Sequence, residues 1–143
     1  MEVVGRETDF SGDADGVRSV RPRPRVCNLK EWSRLLKASE AQPILIFKHS
    51  TICGISFTVL QEVEEFLASR GTTVPMSVVQ VIEDRNLSDV IAKQTGISHK
   101  SPQVILIRNQ SPIWHASHWS IDFKELDGIL SEHGSPSHTQ SPF

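Results

Sequence analysis

Two side chains in this chain of 143 residues could serve as sulfur nucleophiles, Cys27 and Cys53. Cys53 opens the run Cys53-Gly54-Ile55-Ser56. This is Cys-x-x-Ser, the spacing of a dithiol redox motif with a hydroxyl in place of the second sulfur. Such a thiol can attack a disulfide, but no neighbouring thiol resolves the mixed disulfide it forms. The segment Ile44-Leu45-Ile46-Phe47 before it has the continuous apolar character of a strand buried on both faces. After Cys53 the period becomes helical. Cys53 is thus expected where a central strand hands over to a helix, whose free N–H groups and positive dipole end favour a thiolate. A lone cysteine is more often a small buried hydrophobe, but the junction counts against that reading here. Cys27 reads as structural, next to the first helix cap; the alternative, a resolving thiol, would require it within disulfide reach of Cys53.

Several residues could assist the sulfur. Ser101-Pro102 lies about fifty residues downstream, just before another apolar run. A cis X–Pro bond at this point would turn the preceding backbone outward, so that its N–H and C=O could pair with an extended thiol ligand. Prolines also simply begin strands. Ser56, one helical turn into the helix, could donate a hydrogen bond to the thiolate. His49, Thr51, Gly54, Ser56, Ser101 and Pro102 are therefore candidates for stabilising the thiolate or binding substrate. Lys48, Lys100, His118 and Trp119 are candidate rim contacts, each equally readable as a solvated or packing side chain. The six histidines and two cysteines fit no zinc spacing, so no metal site is expected.

The elements that must position these residues are well punctuated. Asn28 and Glu31 read as a capping box for a helix reaching about Ala38. The helix after Cys53 is expected to bury Ile55, Val59, Val63 and Phe66, with Leu60 and Leu67 beside them, and to stop at Gly71. Val78, Val79, Val81 and Ile82 read as a second strand. Asn86 reads as the cap of a third helix that ends at Gly96. Val104 to Ile107 form a third strand, Asn109 to Pro112 a turn, and Ile113 to Ala116 an antiparallel return. Asp122 and Glu125 suggest a capping box for a last helix with Phe123, Leu126, Ile129 and Leu130 inward. A short strand near Arg25-Val26 would complete the sheet. The first crossover is β-α-β with parallel strands. The order implies an α/β, thioredoxin-like fold with a central mixed sheet flanked by helices.

Bulk properties narrow the function. The net charge of −2 points neither to nucleic acid nor to an anionic membrane. No apolar run is long enough to span a bilayer, and the first residues lack the form of a signal peptide. The expected location is the cytoplasm, where thiols stay reduced. Residues 1–23, which include part of the basic stretch Arg21-Pro22-Arg23-Pro24-Arg25, read as a disordered leader, 24–134 as the domain, and 135–143 as a disordered tail.

Three ordered blocks carry a family resemblance. Phe47-Lys48-His49-Ser50-Thr51-Ile52-Cys53-Gly54-Ile55-Ser56 resembles the active-site segment of the YtxJ-type monothiol bacilliredoxins. His99-Lys100-Ser101-Pro102-Gln103 and Trp114-His115-Ala116-Ser117-His118-Trp119 resemble two further blocks, and the similarity spans about 26 to 132. The resemblance implies a thioredoxin-like protein that removes bacillithiol from mixed disulfides on client proteins, with Cys53 as nucleophile and bacillithiol as co-substrate. It implies no tightly bound cofactor. Gly54 departs from the family pattern toward the Cys-Gly-Phe-Ser of monothiol glutaredoxins. That keeps open a protein acting on glutathione adducts or holding a shared iron–sulfur cluster. A non-catalytic redox sensor or binding module is the remaining alternative.

Overall fold

The computed structural model describes residues 23–70 and 74–133. The expected leader up to residue 22, the tail from 135 and the Gly71 helix stop lie outside the described residues. The elements in chain order are α1 (Leu29–Ala38), β1 (Ile44–His49), α2 (Gly54–Ser69), β2 (Met76–Gln80), α3 (Arg85–Thr95), β3 (Gln103–Arg108), β4 (Ser111–Ser117), a 3₁₀ turn (His118–Ser120) and α4 (Phe123–His133).

The sheet order is β2-β1-β3-β4. β1 runs parallel to β2 and antiparallel to β3, and β3 to β4 is antiparallel. The expected extra strand is a single parallel bridge, Arg25 to Val78, on the β2 edge. Strand alternation divides the core in two. Leu45, Phe47, Val104 and Leu106 pack with Val59, Val63, Leu126 and Leu130 of α2 and α4. Ile44, Ile46, Ile105 and Ile107 pack with Trp32, Leu87 and Ile91 of α1 and α3. The result is a three-layer sandwich, a mixed sheet between two pairs of helices.

Local chemistry explains the boundaries. Asn28 caps α1 by accepting the Glu31 N–H at 2.9 Å, and Glu31 reaches back to the Cys27 N–H at 2.9 Å. The expected cap Asn86 instead lies inside α3. Asp84 holds the N-cap position, with its carboxylate gripped by Arg25 at 2.9–3.1 Å. Gly96 ends α3 in the left-handed region at φ 75°, which glycine adopts without steric cost. The hairpin turn is shorter than expected. Asn109 and Gln110 both have positive φ, 55° and 65°, the signature of a two-residue primed turn. Ser111 and Pro112 therefore belong to β4, an edge strand where a missing N–H is tolerated. The inward face of α2 is also rotated from the expected stripe. Ser56, Val59, Val63 and Leu67 are buried, whereas Ile55 is exposed. Ile82 likewise lies beyond β2 and is exposed. Asp122 accepts the N–H groups of Lys124 and Glu125, but the Glu125 carboxylate turns to the Trp114 indole N–H at 2.9 Å instead of completing a box.

Among the described residues no helix is long and apolar enough to cross a membrane. Nor is any group of three or more His, Cys, Asp or Glu side chains placed to hold a metal ion.

Candidate active site around Cys53

β1 ends at His49, and the loop Ser50 to Ile52 delivers Cys53 as the N-cap residue of α2, with extended backbone at φ −119°, ψ 117°. Its carbonyl accepts the Ser56 and Phe57 N–H groups at 3.1 and 3.3 Å, and its own N–H donates to Ser50 O at 3.2 Å. The cap position ordinarily carries a Ser, Thr, Asp or Asn oxygen that accepts an N–H of the first turn. Here it carries sulfur, and no side-chain cap hydrogen bond is made. The first turn of α2 contains no acidic residue to oppose a negative sulfur. Cys53 is partly exposed, and both cysteines are free thiols.

Ser56 is wholly buried, and its hydroxyl is engaged away from the sulfur. Its Oγ accepts the Ser50 N–H at 3.0 Å and shares a 2.7 Å hydrogen bond with His49 Nδ1. The expected donation from Ser56 to the Cys53 sulfur is not formed. Ser56 instead pins the loop before Cys53 against the first turn of α2. His49, at 4% exposure, packs edge-on against Phe57 with centroids 4.4 Å apart. Burial lowers its pKa, and Glu83 opposes that shift. Thr51 donates its hydroxyl to Glu83 Oε2 at 2.7 Å, tying the loop to the segment after β2. Gly54 lies in the first turn with open space where a Cβ would stand.

Lys48 is not a rim residue. It is 0% exposed, because alternation along β1 turns it to the face opposite His49, under α3. Its ammonium donates to Ser88 O at 3.1 Å and meets His99 Nδ1 at 3.2 Å. Ser88 Oγ also lies 3.1 Å from that nitrogen. Burial lowers the Lys48 pKa to about 8, with Asp89 acting in the opposite sense. Burial and then the Lys48 charge lower that of His99. The sequence alone gave no sign of this cluster, since Ser88 and His99 are distant in the chain. The alternation of β1 was the signal that could have moved Lys48 off the rim.

The remaining candidates gather around the β3 entry. The Ser101–Pro102 peptide is cis. Pro102 is buried and Ser101 half-buried. Pro102 O accepts the His118 N–H at 3.0 Å, which joins this loop to the 3₁₀ turn. His118 has φ 50°, Trp119 is 69% exposed, and the turn packs against α2. Lys100 is exposed. Exposed Ile52, Ile55 and Phe57 surround the Cys53 segment in sequence, apolar surface that no motif or spacing marks. Cys27 has its thiol 3.6 Å from Glu31 Oε1. Desolvation, and then that carboxylate, raise its pKa.

Comparison with solved structures gives the same fold. A protein described as an oxidoreductase with a thioredoxin fold matches with TM-score 0.65 and 26% identity, over 74% of this chain and 91% of that one. Fasciola hepatica thioredoxin matches with TM-score 0.60 and 13% identity, over 77% and 98%. Thioredoxin NaTrxh from Nicotiana alata matches with TM-score 0.59 and 15% identity, over 82% and 100%. The family model for monothiol bacilliredoxin BrxC matches residues 25–126, a span that holds Cys53, the cis-proline and the β3–β4 hairpin. With one free thiol capping α2 in a thioredoxin-like sandwich, the chain belongs to the monothiol bacilliredoxin BrxC family of thiol–disulfide oxidoreductases.

Proposed function

We propose that this protein removes bacillithiol from mixed disulfides on client proteins in the cytoplasm, with Cys53 as the nucleophile. The Cys53 thiolate attacks the bacillithiol sulfur of the client mixed disulfide. The client S–S bond breaks, and the client sulfur leaves as a thiolate that takes a proton. Cys53 then carries bacillithiol in a new disulfide. A second bacillithiol thiolate attacks the bacillithiol sulfur of that adduct, which releases bacillithiol disulfide and restores the Cys53 thiolate. The net exchange turns one client mixed disulfide and one bacillithiol thiol into one client thiol and one bacillithiol disulfide; the number of disulfides is conserved, Cys53 ends the cycle as it began, and no resident cofactor is required.

The observation that carries this reading is the free, partly exposed Cys53 sulfur at the N-cap of a 16-residue helix, with Ser56 where a second thiol would resolve the adduct. A helix N-terminus favours a negative sulfur there. Cys27 is poorly suited to resolution, because desolvation and the Glu31 carboxylate favour its protonated form.

The test is intact-protein mass after incubation with a bacillithiol-modified client, wild type beside Cys53→Ser and Cys27→Ser. Wild type and Cys27→Ser should take up one bacillithiol and release the client thiol, and Cys53→Ser should not. Full transfer by Cys53→Ser overturns the assignment of the nucleophile. A glutathione-modified client run in parallel separates the thiols. Faster transfer from that client would move the co-substrate to glutathione.

A further inference from the structure

The end of β1, the loop after it and the first turn of α2 close a circuit of hydrogen bonds that includes the backbone of Cys53. The Ser50 N–H donates to Ser56 Oγ at 3.0 Å. The Ser50 carbonyl accepts the Cys53 N–H at 3.2 Å, and the Cys53 carbonyl accepts the Ser56 N–H at 3.1 Å. His49 joins this circuit at one atom, Nδ1, 2.7 Å from Ser56 Oγ.

The serine decides which way that last bond points. A backbone N–H only donates, so Ser56 Oγ accepts from Ser50. The hydroxyl proton then needs an acceptor, because Ser56 is wholly buried and an unpaired buried donor is destabilising. Among the described residues the other partner of Ser56 Oγ is His49 Nδ1. Ser56 therefore donates to Nδ1, and His49 carries its proton on Nε2. A proton on Nδ1, as in imidazolium, would meet the serine oxygen as a second donor and strand the hydroxyl proton in the interior. His49 fits the circuit in one state, the neutral one.

The elements packed around His49 suit that state. Gln80 is its partner across β2, Phe57 of α2 packs edge-on against the imidazole, and Phe47 lies two residues back on the same face of β1. The charged group that acts on His49 is Glu83, after β2, and its carboxylate is engaged by the Thr51 hydroxyl. The other titratable group on the circuit is the Cys53 thiol.

We propose that His49 is a positioning residue for Cys53, holding the sulfur at the N-cap of α2 as a neutral hydrogen-bond acceptor and not as a charge. This rests on Cys53 being the nucleophile, as in the function proposed above, and not on which thiol it exchanges with. Protonation of His49 breaks the bond from Ser56 and frees the loop from Ser50 to Cys53. The sulfur then loses its place at the helix N–H groups that favour a thiolate. Acid thus slows Cys53 twice, once by protonating the sulfur and once by releasing its loop. Burial lowers the His49 pKa from 6.5, with Glu83 opposing, so the second loss lies below that pH.

The experiment uses the full-length chain with Cys27→Ser, which leaves one thiol. The small neutral reagent methyl methanethiosulfonate modifies Cys53, and quenched intact-protein mass gives the rate from about pH 5 to pH 8. His49→Asn puts a carbonyl oxygen, which does not titrate, in the place of Nδ1. His49→Leu removes the acceptor. The ratio of the rate with His49 to the rate with His49→Asn cancels the titration of the sulfur. It should be flat above neutral pH and fall about threefold in acid, and near neutral pH His49→Leu should react about threefold more slowly than His49→Asn. A ratio that stays flat throughout, or rises in acid as an imidazolium attracting the thiolate would make it, overturns the positioning role. That ratio decides even if His49→Leu does not fold. Imidazole nitrogen shifts of the unsubstituted chain near neutral pH should show the Nε2–H tautomer, and the Nδ1–H tautomer would overturn the assignment whatever the variants do. The reagent contains no bacillithiol, so the two readings fail separately. The expected ratio in a protein that takes no bacillithiol from a client would sink the proposed function and leave the role of His49 standing; bacillithiol transfer with a flat ratio would do the reverse.

Discussion

Replacing Lys48 by methionine should change stability in opposite directions on the two sides of a pH window. The ammonium is wholly buried among α3 and the loop after it, with Ser88 O and His99 Nδ1 as partners. Its pKa falls from 10.5 to about 8, chiefly by desolvation. A lysine with a depressed folded-state pKa binds fewer protons folded than unfolded between those two values. Stability therefore rises with pH across the window, and the cost of burying the charge is fully present below pH 8. At about 1.36 kcal/mol per pH unit that cost is roughly 3 kcal/mol. Methionine removes it but loses two hydrogen bonds worth about 1 kcal/mol each. At pH 7 Lys48→Met should be more stable than wild type by about 1 kcal/mol. Near pH 10.5, where wild type has shed the proton, it should be less stable by about 2 kcal/mol. Urea unfolding of both proteins at pH 7, 8, 9, 10 and 10.5 measures the difference. A difference that stays constant across that range would refute the reasoning, because it would mean that the ammonium is not desolvated in the folded state.

Other outcomes follow from the same geometry. Ser56→Ala strips the buried Ser50 N–H and His49 Nδ1 of their shared partner. It should cost about 2–3 kcal/mol and lower Tm by roughly 10 °C or more; a shift within 2 °C in thermal unfolding, roughly under 0.5 kcal/mol, would contradict the assigned bonds. Gly54→Ala places a methyl in open space at an ordinary backbone conformation, so stability and transfer should both persist. A marked fall in transfer without loss of stability would show that substrate occupies the space beside Gly54. Desolvation and then the Glu31 carboxylate raise the Cys27 pKa. Brief alkylation near neutral pH with peptide mapping should leave it largely unlabelled, and Glu31→Gln should raise its labelling a few-fold. Equal labelling in both proteins would remove the carboxylate from the account.

Much of this architecture was legible because its signals are local. The Asn28 cap of α1, the continuous apolar run of β1, and Gly96 each act within one turn or one strand, and the structure uses them as read, with Glu31 reaching back one residue further, to the Cys27 N–H. Three of the departures share one cause, a tertiary partner competing for a local group. Asp84 takes the start of α3 while Arg25, distant in sequence, grips its carboxylate. Glu125 leaves its capping box for the Trp114 indole. Ile55 yields the inner face of α2 to Ser56, whose hydroxyl is satisfied inside by Ser50 and His49. A hydrophobicity pattern scores serine as outward and cannot see that both of its bonds are waiting in the preceding loop. The cluster of Lys48, Ser88 and His99 was illegible for the same reason, since it joins three elements that only the sheet brings together.

Lys48 and His49 illustrate how the strand sorts chemistry ahead of Cys53. In sequence they form one basic pair before the thiol. In the sheet they part, because successive strand residues face opposite layers. His49 turns toward α2 and, through Ser56 and the Ser50 N–H, fixes the loop that delivers the sulfur. Lys48 turns toward α3 and holds His99, three residues before the cis-proline. Each side chain thus secures one of two loops, the one that carries the sulfur and the one that carries Ser101–Pro102. A charge-only account of the pair predicts that either could be replaced by the other. The bonds predict instead that an exchange of Lys48 and His49 would unseat both loops, because neither side chain has the length or donor pattern of the site it would enter.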